Sequence, residues 1–370
     1  MLRLRNLFFV CVFLCSQGGI AGQLDVMTQN QYLGADLAPV IGAATAEPFD
    51  PVAFNSAVIM ALQQVAANKT AERMQAQAKS ISKRQPHFVG LQEVSVFSCA
   101  DPYGTGACED PAIADAFNNY LDLTLAALDG AYDAAAIVEN FKVENVPFFL
   151  PGQAQPALLT LIDRDVILAR SDIETSTVDF SCAGFVSIDG CNYQVTLPAG
   201  AFGNVLRGYV GIDATVGSDD YRIVNTHLEV KDFPIPPLFQ DAQALELLTV
   251  LGATPSDKTL VVLGDINSSP DDPLTSPYGQ FTALGYTDAW TLRPGDKPGS
   301  TCCQLADLSN KKSALNQRID MVFLGVVPQK VKKARVLGDK VSTKTRPPGL
   351  GLWSSDHGAV AAKLHFSEGN

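Results

Sequence analysis

Apolar runs long enough to cross a bilayer are absent from this chain of 370 residues. The most marked, LFFVCVFLC at residues 7–15, is about half the length a spanning helix needs. Positive charge is also in short supply. Lys and Arg number 27 against 39 Asp and Glu, for a formal net charge of −12. Tight electrostatic binding of nucleic acid, which draws on clustered Lys and Arg, is therefore not expected, although metal ions can supply the missing charge for transient cleavage. No internal repeat, heptad pattern or low-complexity tract occurs, which excludes solenoids, coiled coils and long disordered tails. Histidine is scarce, with 4 in the chain, so each one at a strand end carries weight.

What is present begins with an export signal. MLRLRN gives a basic start, the apolar run follows, and SQGGIAGQ supplies a small-residue exit near Ala21 or Gly22. Residues 1–22 are expected to be a cleaved secretory signal, and 23–370 a single catalytic domain that is secreted or periplasmic. A lipoprotein reading through Cys15 is weaker, because bulky Leu14 precedes it. Losing Arg3 and Arg5 leaves the chain more acidic still.

Of 8 cysteines, Cys11 and Cys15 leave with the signal. Cys99 with Cys108, and Cys182 with Cys191, bracket short polar segments, as small disulfide loops of exported proteins do. Cys302 and Cys303 are adjacent, closer than ordinary disulfides prefer. The sequence alone does not choose among the possible pairings.

A hydrophobic share of 46% with charged residues at 18% is that of a globular protein with a sizeable core. Strands are expected at 24–30, 87–93, 165–170, 209–216, 221–228, 259–267, 319–325 and 358–364, many of them buried on both faces. Helical spacing occupies 52–81, 111–128 and 241–251. Hairpin-like neighbours such as 209–216 and 221–228 imply mixed sheets, so an α/β (α+β) chain of two packed mixed β-sheets flanked by helices fits best.

Strand ends carry the polar residues, and such exits are where scaffolds of this kind place chemistry. Thr28-Gln29-Asn30 offers an amide. Glu93 emerges from the apolar run HFVGL, where an unpaired charge is costly and a metal would compensate it. His227 in Asn225-Thr226-His227 can act as acid or base near neutrality. In Gly264-Asp265-Ile266-Asn267 the glycine permits close backbone approach, and alternation points Asp265 and Asn267 to one side. Arg318-Ile319-Asp320 opens a strand, and Ser355-Asp356-His357 precedes the last one.

Read in order, Asn30, QE at 92–93, NTH at 225–227, GDIN at 264–267, RID at 318–320 and SDH at 355–357 resemble the signature of the endonuclease/exonuclease/phosphatase superfamily. That group includes deoxyribonuclease I, exonuclease III, neutral sphingomyelinases and inositol polyphosphate 5-phosphatases. The resemblance spans nearly the whole mature chain and implies a four-layer α/β sandwich, in agreement with the two packed sheets argued above. It implies a metal site of Asn30, Glu93 and Asp356 for Mg²⁺, with Mn²⁺ or Ca²⁺ as alternatives, since oxygen ligands suit these ions. It also implies that His357, oriented by Asp320, contacts the scissile phosphate. Asp265 and Asn267 would align the attacking water, and His227 would protonate the leaving oxygen; whether Asp265 or His357 is the base stays open. The reaction would be in-line displacement at phosphorus.

Gln317-Arg318-Ile319-Asp320 stands where the 5-phosphatases carry Trp-Cys-Asp-Arg, which argues against that subgroup. Val94-Ser95 lacks the Arg that some DNA-cleaving members place after the glutamate. The expected substrate is a phosphodiester, with nucleic acid or a nucleotide favoured and a lipid head group the alternative; a non-catalytic binding protein on the same fold is the third reading. The apolar segments 148–151 and 234–239 could meet lipid, but packing on the core is the plainer expectation. Lys340, Lys344 and Arg346 could meet phosphates. No stable protein partner is implied, and a monomer is expected.

Overall fold

The structure, a computed structural model, describes residues 22–200, 203–231, 237–273, 276–345 and 351–366. The expected signal lies outside these residues except for Gly22, as do residues 234–236 of the second apolar segment and Arg346.

Seventeen strands and six α-helices follow one another among the described residues. The first sheet is built from β1 (Gln23–Asn30), β2 (Phe88–Gln92), β3 (Val96–Ala100), β4 (Tyr132–Phe148) and β5 (Ala157–Arg170), closed by two strands from the end of the chain. The short strands β6 (Thr175–Thr177), β7 (Phe185–Ser187) and β8 (Gly190–Asn192) precede a separate two-stranded pair, β9 (Leu197–Pro198) and β10 (Asn204–Val205). The second sheet is centred on β11 (Gly208–Val216), β12 (Asp219–His227), β13 (Thr259–Asp265), β14 (Thr287–Asp288) and β15 (Asp320–Leu324). Last come β16 (Lys330–Leu337) and β17 (Ala359–His365), which return to the first sheet.

The first sheet runs β16-β17-β1-β2-β5-β3 with β4 on the other edge of β5, and the second runs β14-β15-β13-β12-β11-β8-β7 with β6 also on β11. Both are mixed: β1 pairs with β2 in parallel and with β17 antiparallel, while β12 pairs with β13 in parallel and with β11 antiparallel. The strands β1, β2, β12 and β13 are nearly continuous in buried residues, which is why they read as unbroken apolar runs.

Leu24, Val26, Phe88, Ile167, Ile223, Val261, Leu263 and Val322 form the layer between the sheets. Helices α1 (Ala38–Ala44), α2 (Pro51–Ala67), α3 (Thr70–Arg84) and α4 (Tyr120–Leu128) cover the outer face of the first sheet through Phe54, Leu62, Met74 and Ile81. Helices α5 (Pro237–Ala253) and α6 (Pro277–Ala283) cover the second through Leu247, Leu251 and Phe281. The result is helix, sheet, sheet, helix: the four-layer sandwich expected from the sequence.

The local structure departs from the sequence expectations at several elements. Residues 52–81 are two helices, because Asn68 is buried and donates to Gly34 O and Ala306 O (both 2.8 Å), and Lys69 turns left-handed at φ 50°. Residues 111–119 are turns and a 3₁₀ turn, with helix only from Tyr120, where Asn119 caps the Leu121 N–H. The long strand β4, the strands β3 and β16 and the short helices α1 and α6 had no counterpart among the expected elements.

Cys99 pairs with Cys108, Cys182 with Cys191 and Cys302 with Cys303. Phe148 and Leu150 pack in the core while Phe149 is part exposed. Lys344 donates to Asn310 O and lies over the Trp353 ring. No helix among the described residues is long and apolar enough to cross a membrane.

Candidate active site

Strand register brings the distant motifs together. Across the second sheet His227 lies opposite Asp265, and Asp265 opposite Asp320. Gly264 makes this possible, since a side chain there would meet Thr226 O at 2.2 Å. In the first sheet Asn30 lies opposite Gln92, so Glu93 follows directly beside it.

Asn30 bridges the two sheets. Its Nδ2 donates to Glu93 Oε1 at 2.9 Å and to Asp265 Oδ2 at 3.1 Å. Its Oδ1 accepts from Tyr32 N at 2.8 Å, so the amide nitrogen, not the oxygen, faces the two acids. Glu93 Oε2 accepts from Leu33 N at 2.6 Å. Tyr32, Glu93 and Asn267 all have left-handed backbones (φ 64°, 55° and 51°), a cost of about 1–3 kcal/mol each that tends to be carried at functional sites.

His357 Nδ1 donates to Asp320 Oδ2 at 2.9 Å and lies 3.6 Å from Asp265 Oδ2. Burial disfavours a charge on this ring, but Asp320, Asp356 and Asp265 outweigh it and hold the imidazole well above its ordinary 6.5. Burial first, and the neighbouring Asp320 second, push Asp265 up to about 7. Asp356 rises to about 6, mainly through burial, with Glu93 adding to it. His227 moves the other way, well below 6.5, because of burial, Arg207 and His357 in that order.

Asn267 donates from its backbone to Asp265 Oδ1 at 3.0 Å and from Nδ2 to Leu228 O at 2.9 Å, and its Nδ2 lies 3.2 Å from His227 Nε2. All the sequence-selected residues thus lie in or directly beside one connected set, with Asp356 joined through Ser355, whose Oγ donates to Asn30 O at 2.8 Å.

An oxygen-rich donor set suits a hard divalent cation. Glu93 and Asp356 are half-buried and face each other's field, which a cation would relieve. Asp265, Asp320 and His357 also bring one ligand atom each within 4.8 Å, but His357 Nδ1 is already committed to Asp320.

Several residues of the site escaped sequence reading. Buried Arg73 donates to Gln31 O (2.8 Å), Tyr32 O (3.1 Å) and Ser354 O (3.4 Å), and Gln77 donates to Gln31 O and Ser354 O, so α3 ties the loop that follows Asn30 to the loop that carries Asp356. Gln92 and Asn225 stood in the QE and NTH motifs without a role of their own; they link the sheets, Gln92 Nε2 donating to Asn225 Oδ1 at 2.6 Å. Asp163 and Asp165 sit buried behind Glu93, and burial raises both, Asp163 to about 6. The alternating acids in LIDRDVIL were the visible signal for this pair. Arg207, which touches His227, left none.

No family model matches the sequence, nor does any curated protein. Solved structures do. An endonuclease/exonuclease/phosphatase family protein from Bacteroides thetaiotaomicron superimposes with a TM-score of 0.55 at 15% identity, over 94% of this chain and 99% of that one. One from Leptotrichia buccalis gives 0.53 at 15% identity, over 93% and 100%. A mannosyl-6-phosphatase from Bacteroides thetaiotaomicron gives 0.52 at 14% identity, over 93% and 100%. Over nearly its whole length the chain has the fold of the endonuclease/exonuclease/phosphatase superfamily.

Proposed function

We propose that the protein is a divalent-metal-dependent phosphoesterase that hydrolyses its substrate by direct attack of water, with nucleic acid or nucleotide phosphodiesters favoured. The observation that carries this reading is the Asn30 bridge: one amide joins Glu93 in the first sheet to Asp265 in the second, beside the His357–Asp320 pair. A cation held by Glu93 and Asp356, with Asn30 orienting Glu93, would stabilise charge on the phosphoryl oxygens.

Asp265, raised to about 7, is poised to take a proton from the attacking water at neutral pH. His357, charged and held by Asp320, offers its other nitrogen to the phosphate. Asn267 and His227 lie beside Asp265, the first through its backbone N–H at 3.0 Å and the second with Nε2 at 3.7 Å. No covalent intermediate is required.

Several cations around the site are already engaged: Arg207 with Glu229, Lys231 with Asp272 and Arg318 with Asp288. This supports short or small phosphodiesters over long duplexes, which need a free basic track. The fold shared with a mannosyl-6-phosphatase makes a phosphomonoester the second reading.

The test is to assay residues 23–370, disulfides intact, on bis-p-nitrophenyl phosphate, p-nitrophenyl phosphate, plasmid DNA and sphingomyelin vesicles, with Mg²⁺ or EDTA. Metal-dependent turnover that Glu93→Gln and His357→Ala abolish supports the reading, and the substrate names the subgroup. Folded protein that cleaves none of them with Mg²⁺, Mn²⁺ or Ca²⁺ overturns it.

A further inference from the structure

We infer that Arg207 locks His227 as a neutral imidazole with its proton on Nε2, so that His227 serves the reaction by donating a hydrogen bond and not by giving up a proton. The inference rests on the phosphoesterase reading and revises the expectation that His227 protonates the leaving oxygen.

Arg207 directly precedes Gly208, and Gly208 lies opposite His227 in the β11–β12 register, which brings the guanidinium to the ring. Nη1 lies 3.1 Å from His227 Nδ1. The same guanidinium is anchored behind by Glu229, at 3.1 Å from Nη2 and 3.4 Å from Nε. The side chains of Arg207 and Glu229 are 14% and 2% exposed, so water does not compete for this pair.

A guanidinium has only N–H groups and does not deprotonate. The ring nitrogen facing it must therefore present a lone pair. An imidazolium carries N–H on both nitrogens and would set proton against proton and cation against cation. The remaining tautomer has hydrogen on Nε2, which lies 3.7 Å from Asp265 Oδ2.

Asn267 Nδ2 also approaches Nε2, at 3.2 Å, and a neutral ring cannot accept at both nitrogens. Asn267 already donates to Leu228 O at 2.9 Å, so its longer neutral contact yields to the charge-assisted bond from Arg207. The charged groups facing the ring are Arg207 and, behind it, Glu229 and Asp163 on one side, and Asp265 and the charged His357 on the other. The two cations nearest the ring and its burial all disfavour a second proton.

In this form His227 resembles a neutral electrophile: its Nε2–H, beside Asp265 Oδ2 at 3.7 Å, would be the group that meets a phosphoryl or leaving oxygen there, and no proton changes owner. Arg207 is a positioning residue acting through it.

The direct test is ¹⁵N–¹H NMR of the wild-type chain labelled at histidine, with EDTA and with Mg²⁺, between about pH 5 and 8. A lone pair on Nδ1 and a hydrogen on Nε2 throughout is the expected result; protonation of both nitrogens, or hydrogen on Nδ1, overturns the lock. Arg207→Met should release the ring to titrate within that range, and an unchanged spectrum would sink the role of Arg207. Where Arg207→Met fails to fold, the wild-type spectrum still decides.

On bis-p-nitrophenyl phosphate, His227→Gln, which can donate but not transfer a proton, should stay within about tenfold of wild type, while His227→Ala loses about 10²–10³-fold. Equal loss in both would restore the general acid. A locked ring in a protein that turns over no phosphoester overturns the phosphoesterase reading alone.

Discussion

At the scale of single residues the site is governed by which nitrogen or oxygen can only donate or only accept. Asp320 accepts from His357 Nδ1 at 2.9 Å, which fixes the ring with Nε2 outward and favours its charge. Asp320→Asn keeps the volume but lets the position donate as well as accept, so the wrong nitrogen of His357 can face the substrate. We expect kcat on bis-p-nitrophenyl phosphate to fall about 10²–10⁴-fold. Mg²⁺ affinity by calorimetry should change little, because Glu93 keeps its bonds to Asn30 and Leu33. A matching collapse in Mg²⁺ binding would show that Asp320 holds the metal rather than the histidine. Asn30 obeys the same logic: its amide nitrogen is the group that lets Glu93 and Asp265 share space.

At the scale of elements, helix α3 and strand β2 do the positioning. Arg73 and Gln77 on α3 hold the carbonyls of Gln31 and Ser354, next to the loops that carry Glu93's backbone donor Leu33 and the acid Asp356. Arg73→Gln should therefore weaken Mg²⁺ binding about 10–100-fold, as loss of groups that orient ligands does, with calorimetry as the readout. Circular dichroism near the melting point would separate this from unfolding. On β2, a side chain at Gly90 would meet Asn225 Oδ1 at 2.5 Å, where Asn225 crosses to donate to Leu91 O. Gly90→Ala should cost about 1–3 kcal/mol in urea unfolding, and a smaller loss would mean the sheets yield. The sequence displayed the strand ends well, because a polar residue closing an apolar run is visible without coordinates. It hid β4, whose stretch Glu139–Glu144 interrupts the apolar alternation, and the break at Lys69, which depends on Asn68 reaching Gly34 and Ala306. Arg207 was invisible because a lone Arg in a loop has no period, and only register places it against His227.

At the scale of the whole molecule the site is a store of buried acid inside a chain of net charge −12. Asp265 at about 7, and Asp356 and Asp163 at about 6, all lie above the ordinary 3.8, chiefly because burial disfavours their charged forms. Each therefore holds its proton in the folded state at pH values where the unfolded chain has released it. Stability from these groups is greatest near the ordinary carboxylate range and is lost as pH rises through about 6 to 7. His357, raised above 6.5, has the same sign, losing stability as pH rises from 6.5 through its folded value. His227, lowered below 6.5, has the opposite sign and costs stability as pH falls below 6.5. Exposed acids whose pKa is lowered, such as Asp172 and Asp307, act below their ordinary 3.8 and stay out of this window. Asp165 and Glu246, also raised by burial, add to the first sign, and His87, lowered by burial, adds to the second, so five acids and one histidine stand against two histidines: in EDTA, the melting temperature should fall as pH rises from about 5 to about 8. A cation held as proposed by Glu93 and Asp356 would need both carboxylates ionised, so saturating Mg²⁺ should raise the melting temperature most at the alkaline end and flatten the profile. Calorimetry across that range with and without Mg²⁺ checks both parts. A metal-free protein that grows steadily more stable from about pH 5 to 8 would mean that the acids are ionised in the fold without a cation, and that charge at this site is balanced by the protein alone.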